Sequence, residues 1–461
     1  MKKPIRFYIA ITLTRLSIAL LRLFGFAATH VPGTVALKVC PTFLQHIDKP
    51  KQLIAITGTN GKTTVSNMIA DFYKAKSIAF ANNSAGSNIQ EGIIVSMLNA
   101  TTFFGKHKID HVILEVDERV SYKIYPYLKP TILIITNLFR DSYKRNAHPE
   151  YIYNLLEQSI PDETTLIVNA DDVISSTLKA NNKKLSFSIA QLSHEQSNND
   201  CLIHDMKHCP VCHYPLQYHF TRYHHIGHVS CSVCGFKNIP SDVKIIQANP
   251  KENKAFGEIN HQRFEISYNP NSIMELYNRL SVITALYALD FSLDDIINTI
   301  KNIKTVETRY QHIVSNDKEI VLMLAKDQNP IAVSRVFDSV SLTSDKRVGI
   351  VLINENHENH KASENMAWYY DTDFERLNKP HIKQIIEGGY RSFDFVVRAK
   401  LAGISDNVID YADNEINAAN KIDFSKVDIV YVLYGTKNIK EANLVKERLR
   451  QKAKEEHTHG N

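Results

Sequence analysis

Residues 58–64, Gly58-Thr59-Asn60-Gly61-Lys62-Thr63-Thr64, form a glycine-bounded turn that carries an ammonium and two hydroxyls into what reads as the start of a helix. An apolar strand, Leu53-Ile54-Ala55-Ile56, runs into that turn. A strand, a tight turn and a helix N-terminus together offer backbone N–H groups and a positive dipole end to an anion. Lys62 is then placed to reach the outer phosphates of a nucleotide, and the Thr63 hydroxyl to ligate Mg²⁺. The general phosphate-loop pattern has a glycine where this chain has Ile56, so the loop departs from it at one position. ATP or a close relative is the ligand this chemistry points to. A second candidate group lies downstream, where the apolar run His111–Val116 leads to Asp117 and Glu118 and carries Glu115 at its end. Carboxylates at strand ends hold Mg²⁺ and its waters in phosphoryl-transfer enzymes, and Glu115 is the candidate for that role.

The segment from 201 to 240 has a different chemistry. Cys209-Pro210-Val211-Cys212 and Cys231-Ser232-Val233-Cys234 are two C-x-x-C knuckles with eighteen residues between them. That spacing suits a closed tetrahedral Zn²⁺ ribbon of four thiolates, which leaves no position for a catalytic water. His213, His224, His225 and His228 are surplus to such a site, and Cys40 and Cys201 read as plain thiols.

These groups need elements to hold them. The phosphate-binding turn requires a following helix, read over Val65–Ala75. Further buried strands are read at Thr131–Thr136, leading to Asn137-Leu138-Phe139-Arg140-Asp141, and at Leu166–Asn169, leading to Ala170-Asp171-Asp172. Strands alternating with helices at this spacing predict a parallel, doubly wound sheet with its ligands at the carboxyl ends of the strands. Asp171 and Asp172 are equally well explained as solvated strand ends or helix caps. Met274–Leu289 reads as a helix carrying Tyr277 and Asn278, and Thr305–Arg309 as the exit to a second α/β unit. Strands of that unit are read at Ile320–Leu324, Arg347–Ile353, Phe393–Arg398 and Asp428–Tyr434. The predicted organisation is α/β throughout: a basic amphipathic segment over 1–48, an ATP-binding domain over 49–304 with the ribbon inserted at 201–240, a C-terminal α/β domain over 305–450, and a disordered tail over 451–461.

At 461 residues, 44% hydrophobic and 22% charged, the chain has the composition of a globular protein with two or three domains. A formal net charge of +5 is too small to argue for nucleic acid, but suits an anionic substrate or an anionic membrane surface. Six cysteines in a chain of this size do not make a disulfide framework. The run Ile9–Ala28 is apolar, but Arg15 and Arg22 interrupt it, which argues against a membrane span. An amphipathic helix that packs on the body or rests on a membrane surface is expected instead.

The wording of Gly58–Thr64 is similar to the ATP-binding loop of the Mur ligases and the folylpolyglutamate synthases. Those enzymes activate a carboxylate as an acyl phosphate that an amine then attacks. With the Cys₄ ribbon inserted in the central domain, the chain resembles more narrowly the MurT family, the ligase subunits of lipid II isoglutaminyl synthases. The resemblance covers nearly the whole chain. It takes in Pro32-Gly33, Thr136–Asp141, Asn169–Asp172, His225-Ile226-Gly227, Tyr277-Asn278, Leu324-Ala325-Lys326, the loop Asn354–Glu375 and Gly389–Asp394. It implies ATP-dependent amidation of the D-glutamate α-carboxyl of the lipid II stem peptide, giving D-isoglutamine. Implied with it are ATP contacted by Asn278, Mg²⁺, Zn²⁺, a heterodimer with a GatD-like glutaminase that supplies ammonia, and a cytoplasmic location in which contact with the inner face of the membrane stays open. In that family the C-terminal domain also lends a carboxylate to the glutaminase Cys–His pair. The family's aspartate, three residues before the loop tryptophan, corresponds here to Asn365, before Trp368. An asparagine can orient a histidine but cannot stabilise an imidazolium by charge. Glu364 and Asp371 are therefore candidates beside it.

Two other functions compete. An amino-acid-adding ligase of the Mur or folylpolyglutamate type is disfavoured by the ribbon and by the lack of a recognisable amino-acid-binding motif in the last domain. A non-catalytic ATP-binding zinc-ribbon scaffold is disfavoured because Lys62, Thr63 and Glu115 are present together.

Overall fold

In a computed structural model the described residues are 3–84, 87–141, 148–193, 195–197, 201–269, 272–303, 310–325, 328–353 and 366–459. The chain forms two units, Met1–Phe139 with His148–Asn199 and His204–Thr305, and Arg140–Ala147 with Asp200–Ile203 and Val306–Asn461.

Isoleucine, leucine and valine runs long enough to be buried on both faces build the first sheet. Its strands, with those of a small hairpin, are β1 (Gln52–Thr57), β2 (Phe80–Asn82), β3 (His111–Glu115), β4 (Ile132–Ile135), β5 (Thr165–Asn169), β6 (Lys184–Ile189), β7 (Gln217–Tyr223), β8 (Ile226–Ser230), β9 (Val243–Asn249), β10 (Lys254–Ile259) and β11 (Gln262–Ser267). Nine of them lie in the order β11-β10-β9-β6-β5-β4-β1-β3-β2, while β7 and β8 form a separate antiparallel pair. From β2 to β9 the pairings are parallel, and β10 and β11 extend the edge antiparallel. β1 lies between β3 and β4, with Ile56 beside Glu115 and Thr57 beside Ile135. That register brings the ends of three strands level where the turn Gly58–Gly61 begins.

The helix Ile5–Leu23 buries Phe7, Ala10, Ile11, Thr14 and Ile18, the three- and four-residue spacing of one helical face. Phe7 packs on Phe43, ring centroids 5.0 Å apart, in the same core as Ile93, Met97, Leu114 and Ile135. Among the described residues no helix is long and apolar enough to cross a membrane.

The second unit has a six-stranded sheet of β12 (Tyr310–Ser315), β13 (Lys318–Leu324), β14 (Val348–Ile353), β15 (Ile382–Gly388), β16 (Ile409–Ala412) and β17 (Ile429–Tyr434). The order is β12-β13-β17-β14-β15-β16, parallel except for the β12–β13 hairpin. Two expectations fail here. Phe393–Arg398, read as a strand, lies in the helix Ser392–Leu401. Its buried positions are Phe395, Arg398 and Ala399, at helical spacing, and the strand beside β14 is Ile382–Gly388 instead. Residues 451–459 of the tail read as disordered continue the helix Ile439–His459, because Ala442, Val445, Leu449 and Ala453 form an apolar stripe against the sheet. The segment Thr305–Arg309 lies outside the described residues.

Candidate active site

The turn after β1 is held by hydrogen bonds from one neighbouring segment. Thr59 N–H donates to the Asn137 carbonyl (2.9 Å), and the Asn60 N–H to Asn137 Oδ1 (3.0 Å). Asn137 Nδ2 and Thr136 Oγ1 both donate to the Asn60 carbonyl, at 3.0 and 2.6 Å. Thr59 Oγ1 accepts from the Phe139 N–H at 2.9 Å. The turn is thus strapped to the chain following β4 before it reaches the helix Lys62–Ala75. Gly58 and Gly61 have φ of 123° and 91°, a region that disfavours any side chain. A Cβ on Gly61 would also strike the Asn278 amide, which the helix Ile273–Tyr287 aims at the turn.

Lys62 and Thr63, the first two helical residues, each meet a carboxylate. Thr63 Oγ1 donates to Glu115 Oε2 at 2.8 Å. Glu115 is fixed by Asn88 Nδ2 at 3.2 Å, while Asn83 exchanges two hydrogen bonds of 2.8 Å with its backbone. Lys62 Nζ donates to the Gly58 carbonyl and, at 3.0 Å, to Glu118 Oε2. Burial alone would lower the Lys62 pKa. The charge and hydrogen bond of Glu118, with Glu115 and Asp117 nearby, outweigh it and hold the ammonium above its ordinary value. Asp117 binds Arg119 instead, through Nη2 at 2.6 Å and Nε at 2.9 Å. The Lys62–Glu118 pair was not assigned from sequence, because nothing in the spacing of the two residues links them.

Beneath the strap lie Asp171 and Asp172, both fully buried rather than solvated. Asp172 accepts from Leu138 N–H (2.9 Å), from the N–H groups of Ile174 and Ser175, and from His225 Nε2 (3.2 Å). Burial would raise its carboxyl pKa, yet these donors, His225 first, hold it below the usual carboxylate range. Asp171 accepts from Arg222 Nη1 (2.8 Å), Tyr277 OH (2.6 Å), Ile189 N–H (3.0 Å) and His228 Nε2 (3.1 Å). Arg222 also binds Glu195 through Nε at 2.5 Å. Of the arginine and two histidines involved, Arg222 lies on β7, His228 on β8 and His225 in the turn between them. The hairpin is therefore clamped to the end of β5, and through Asp172 to the strap of the turn Gly58–Gly61.

The four knuckle cysteines converge. Cys209 Sγ lies 3.4 Å from Cys234 Sγ, Cys212 Sγ lies 3.4 Å from Cys231 Sγ, and all four sulfurs are within 4.8 Å of one another. Tetrahedral Zn–S bonds of about 2.3 Å require sulfurs just under 4 Å apart, so the donor set fits the ion. As free thiols, three of the cysteines shift in opposite directions: the knuckle N–H groups of Cys234, chiefly, and Val233 lower the Cys231 pKa to about 6, while those of Cys212 and Cys234 are raised.

In the second unit, Asp371 Oδ2 lies 3.5 Å from Arg140 Nη1, in the turn after Trp368. Asn365 and Glu364 lie outside the described residues.

The profile of the Mur ligase middle domain matches residues 56–239, and that of the MurT ligase C-terminal domain matches 325–436. The chain is 28% identical over 421 residues to the lipid II isoglutaminyl synthase (glutamine-hydrolyzing) subunit MurT of Staphylococcus aureus strain COL, covering 91% of this chain and 93% of that protein. The corresponding subunit of Streptococcus pneumoniae is 26% identical, covering 87% and 89%. Among solved structures, a pseudomurein peptide ligase type C from Methanothermus fervidus aligns with TM-score 0.66 at 19% identity, covering 89% of this chain and 81% of that one. MurF ligase from Thermotoga maritima, in complex with ADP, aligns at TM-score 0.57 and 13% identity over 92% and 85%.

Proposed function

We propose that this chain, which belongs to the Mur ligase family and is an ATP-dependent ligase, is the ligase subunit of a lipid II isoglutaminyl synthase in peptidoglycan synthesis. In this reading it converts the α-carboxyl of D-glutamate in the lipid II stem peptide to its amide, with ammonia from a GatD-like glutaminase partner. The observation that carries it is the meeting of Lys62 with Glu118 and of Thr63 with Glu115 at the carboxyl ends of β1 and β3.

The N–H groups of Gly61–Thr63, at the start of the helix, and the helix dipole receive the ATP phosphates. Lys62, kept charged by Glu118, supplies positive charge where negative charge builds up on the transferred group. Thr63 and Glu115 are the residues that would hold Mg²⁺, and Asn278 borders the nucleotide at Gly61. The bound metal would neutralise charge on the phosphates. A substrate carboxylate oxygen attacks the γ-phosphorus and ADP leaves. Ammonia then attacks the acyl carbon and phosphate leaves, with the ammonia proton passing to a base. Cys209, Cys212, Cys231 and Cys234 are the residues that would hold a structural Zn²⁺ in the insertion. From the second unit, Asn365, Glu364 or Asp371 orients the glutaminase histidine. Asp371 is already engaged by Arg140, which favours the other two. The chain works in the cytoplasm, at the membrane that carries lipid II.

The purified complex, given lipid II, ATP and either glutamine or ammonium chloride, should produce amidated lipid II with both nitrogen sources. Failure with both would overturn the reading. Alanine at Asn365 or Glu364 should abolish only the glutamine-driven reaction at the residue that serves the glutaminase. Freshly purified protein should contain one zinc per chain, lost in Cys209→Ser.

A further inference from the structure

The helix Ile5–Leu23 is apolar on both sides. One side is buried in the first unit, as described. On the other, Ile5, Ile9, Leu13, Leu16, Leu20 and Leu23 are each between 41% and 78% exposed. At 3.6 residues per turn, the uncharged arc from Tyr8 round to Leu13 spans roughly 140° of the helix. Phe24 and Phe26 are exposed just beyond its end. So are Phe103 and Phe104, in the loop that Arg15 ties to the helix through the Thr101 and Thr102 carbonyls. A large apolar patch of this kind marks an interaction site rather than ordinary surface.

Charge identifies the occupant. Residues 1–47 contain six Lys or Arg and no Asp or Glu. Arg6 and Arg22 are exposed at the borders of the apolar arc, and Lys106 and Lys108 are exposed after the two phenylalanines. A helix seam meeting a second helix is narrower than this arc. A second copy would set basic border against basic border. A broad apolar face whose border carries Arg6, Arg22, Lys106 and Lys108, with the nearby Asp48 and Asp110 already paired to Lys3 and Lys51, fits the interface of an anionic bilayer, where the helix lies in the plane. No described helix can cross one.

We propose that the outer face of Ile5–Leu23 seats this chain on an anionic phospholipid surface, with Arg6 and Arg22 on the headgroups and the leucine face among the upper acyl chains. The binding stands on the helix alone. Its use, to bring the active site to a lipid-borne substrate, rests on the function proposed above.

The test is co-sedimentation of the full-length chain, in its purified complex, with vesicles of phosphatidylcholine alone and with phosphatidylglycerol added. No ATP or lipid II is present, so the result is independent of the amidation assay. Binding should require phosphatidylglycerol and weaken with salt. Leu16→Gln/Leu20→Gln, at exposed positions that leave the core intact, should bind at least ten-fold more weakly while keeping amidation in detergent. Arg6→Gln/Arg22→Gln should lose the preference for phosphatidylglycerol, about five-fold per charge. Absence of vesicle binding, or undiminished binding by the leucine variant, overturns the proposal. So does a concentration-dependent dimer of the wild type that Leu16→Gln/Leu20→Gln abolishes, which would assign the face to a second copy.

Discussion

The chain makes nearly the same backbone turn twice. β1 is followed by Gly58 at φ 123°, and β15 by Gly389 at φ 129°. Each turn leads within a few residues into a helix, Lys62–Ala75 in one unit and Ser392–Leu401 in the other. What surrounds the turns differs. Thr59 and Asn60 are tied by their backbone and side chains to Thr136, Asn137 and Phe139, and the helix opens with Lys62 and Thr63 facing carboxylates. After Gly389 come Tyr390, largely exposed, and Arg391, and the helix opens on Ser392 and the exposed Phe393. A glycine turn at the end of a parallel strand is thus a general way of reversing into a helix. It becomes a nucleotide site only when a strap fixes its peptide groups and a lysine occupies the first turn of the helix.

That contrast can be broken experimentally. The largest effect should come from Lys62→Ala, which should reduce amidation by about 10²–10³-fold or more through lost transition-state charge stabilisation. Arg391→Ala, before the other helix, should leave ATP affinity unchanged; matching losses in the two variants would erase the distinction. Next is the strap. Asp172→Ala leaves His225 and the Leu138 N–H without their acceptor, and breaking such a buried pair should cost about 3–5 kcal/mol in denaturant unfolding. This loss depends on pH in a known direction. The folded Asp172 pKa is depressed, so its contribution is complete above the unfolded value of about 3.9 and fades as pH falls through the folded value. The stability gap between wild type and variant should therefore begin to narrow below about pH 4 and keep closing as pH falls further.

The smallest effect should be that of the paired glycine substitutions. Gly58→Ala and Gly389→Ala share an unfavourable φ, worth on the order of 1–3 kcal/mol each. Gly58→Ala adds a close approach, its Cβ lying 2.7 Å from the Asn137 carbonyl, and only it should weaken ATP binding. Undiminished ATP binding by Gly58→Ala would mean that the close approach does not disturb the turn.

The same contrast explains what could be read from the sequence. Gly58–Thr63, the end of β3 at Glu115 and the two cysteine knuckles are local patterns whose chemistry lies within a few consecutive residues. The parallel sheet was legible because β1, β3, β4 and β5 are unbroken apolar runs. Glu118 facing Lys62, and His225 facing Asp172, were not legible, since each pair meets only once distant segments have packed. Asp171 and Asp172 were open to reading as solvated strand ends because sequence carries no sign of the hairpin that buries them. Phe393–Arg398 misled for another reason. Its aromatic and β-branched residues have high strand propensity, and burial of Phe395, Arg398 and Ala399 overrides it.

The hairpin's attachment has a consequence for how the molecule comes apart. β6 and β9 pair side by side although residues 190–242 intervene. Closing a loop of that length is entropically tolerable, since each doubling adds only about 0.6 kcal/mol. The loop is also pinned partway: Arg222, His225 and His228 grip Asp171 and Asp172, and Asn238 Nδ2 donates to the Ala170 carbonyl at 2.7 Å. None of these tethers uses a cysteine. The knuckles can then fray as a separate cooperative unit, with fast amide exchange confined to the two cysteine turns, while the hairpin and the seam behind it stay closed.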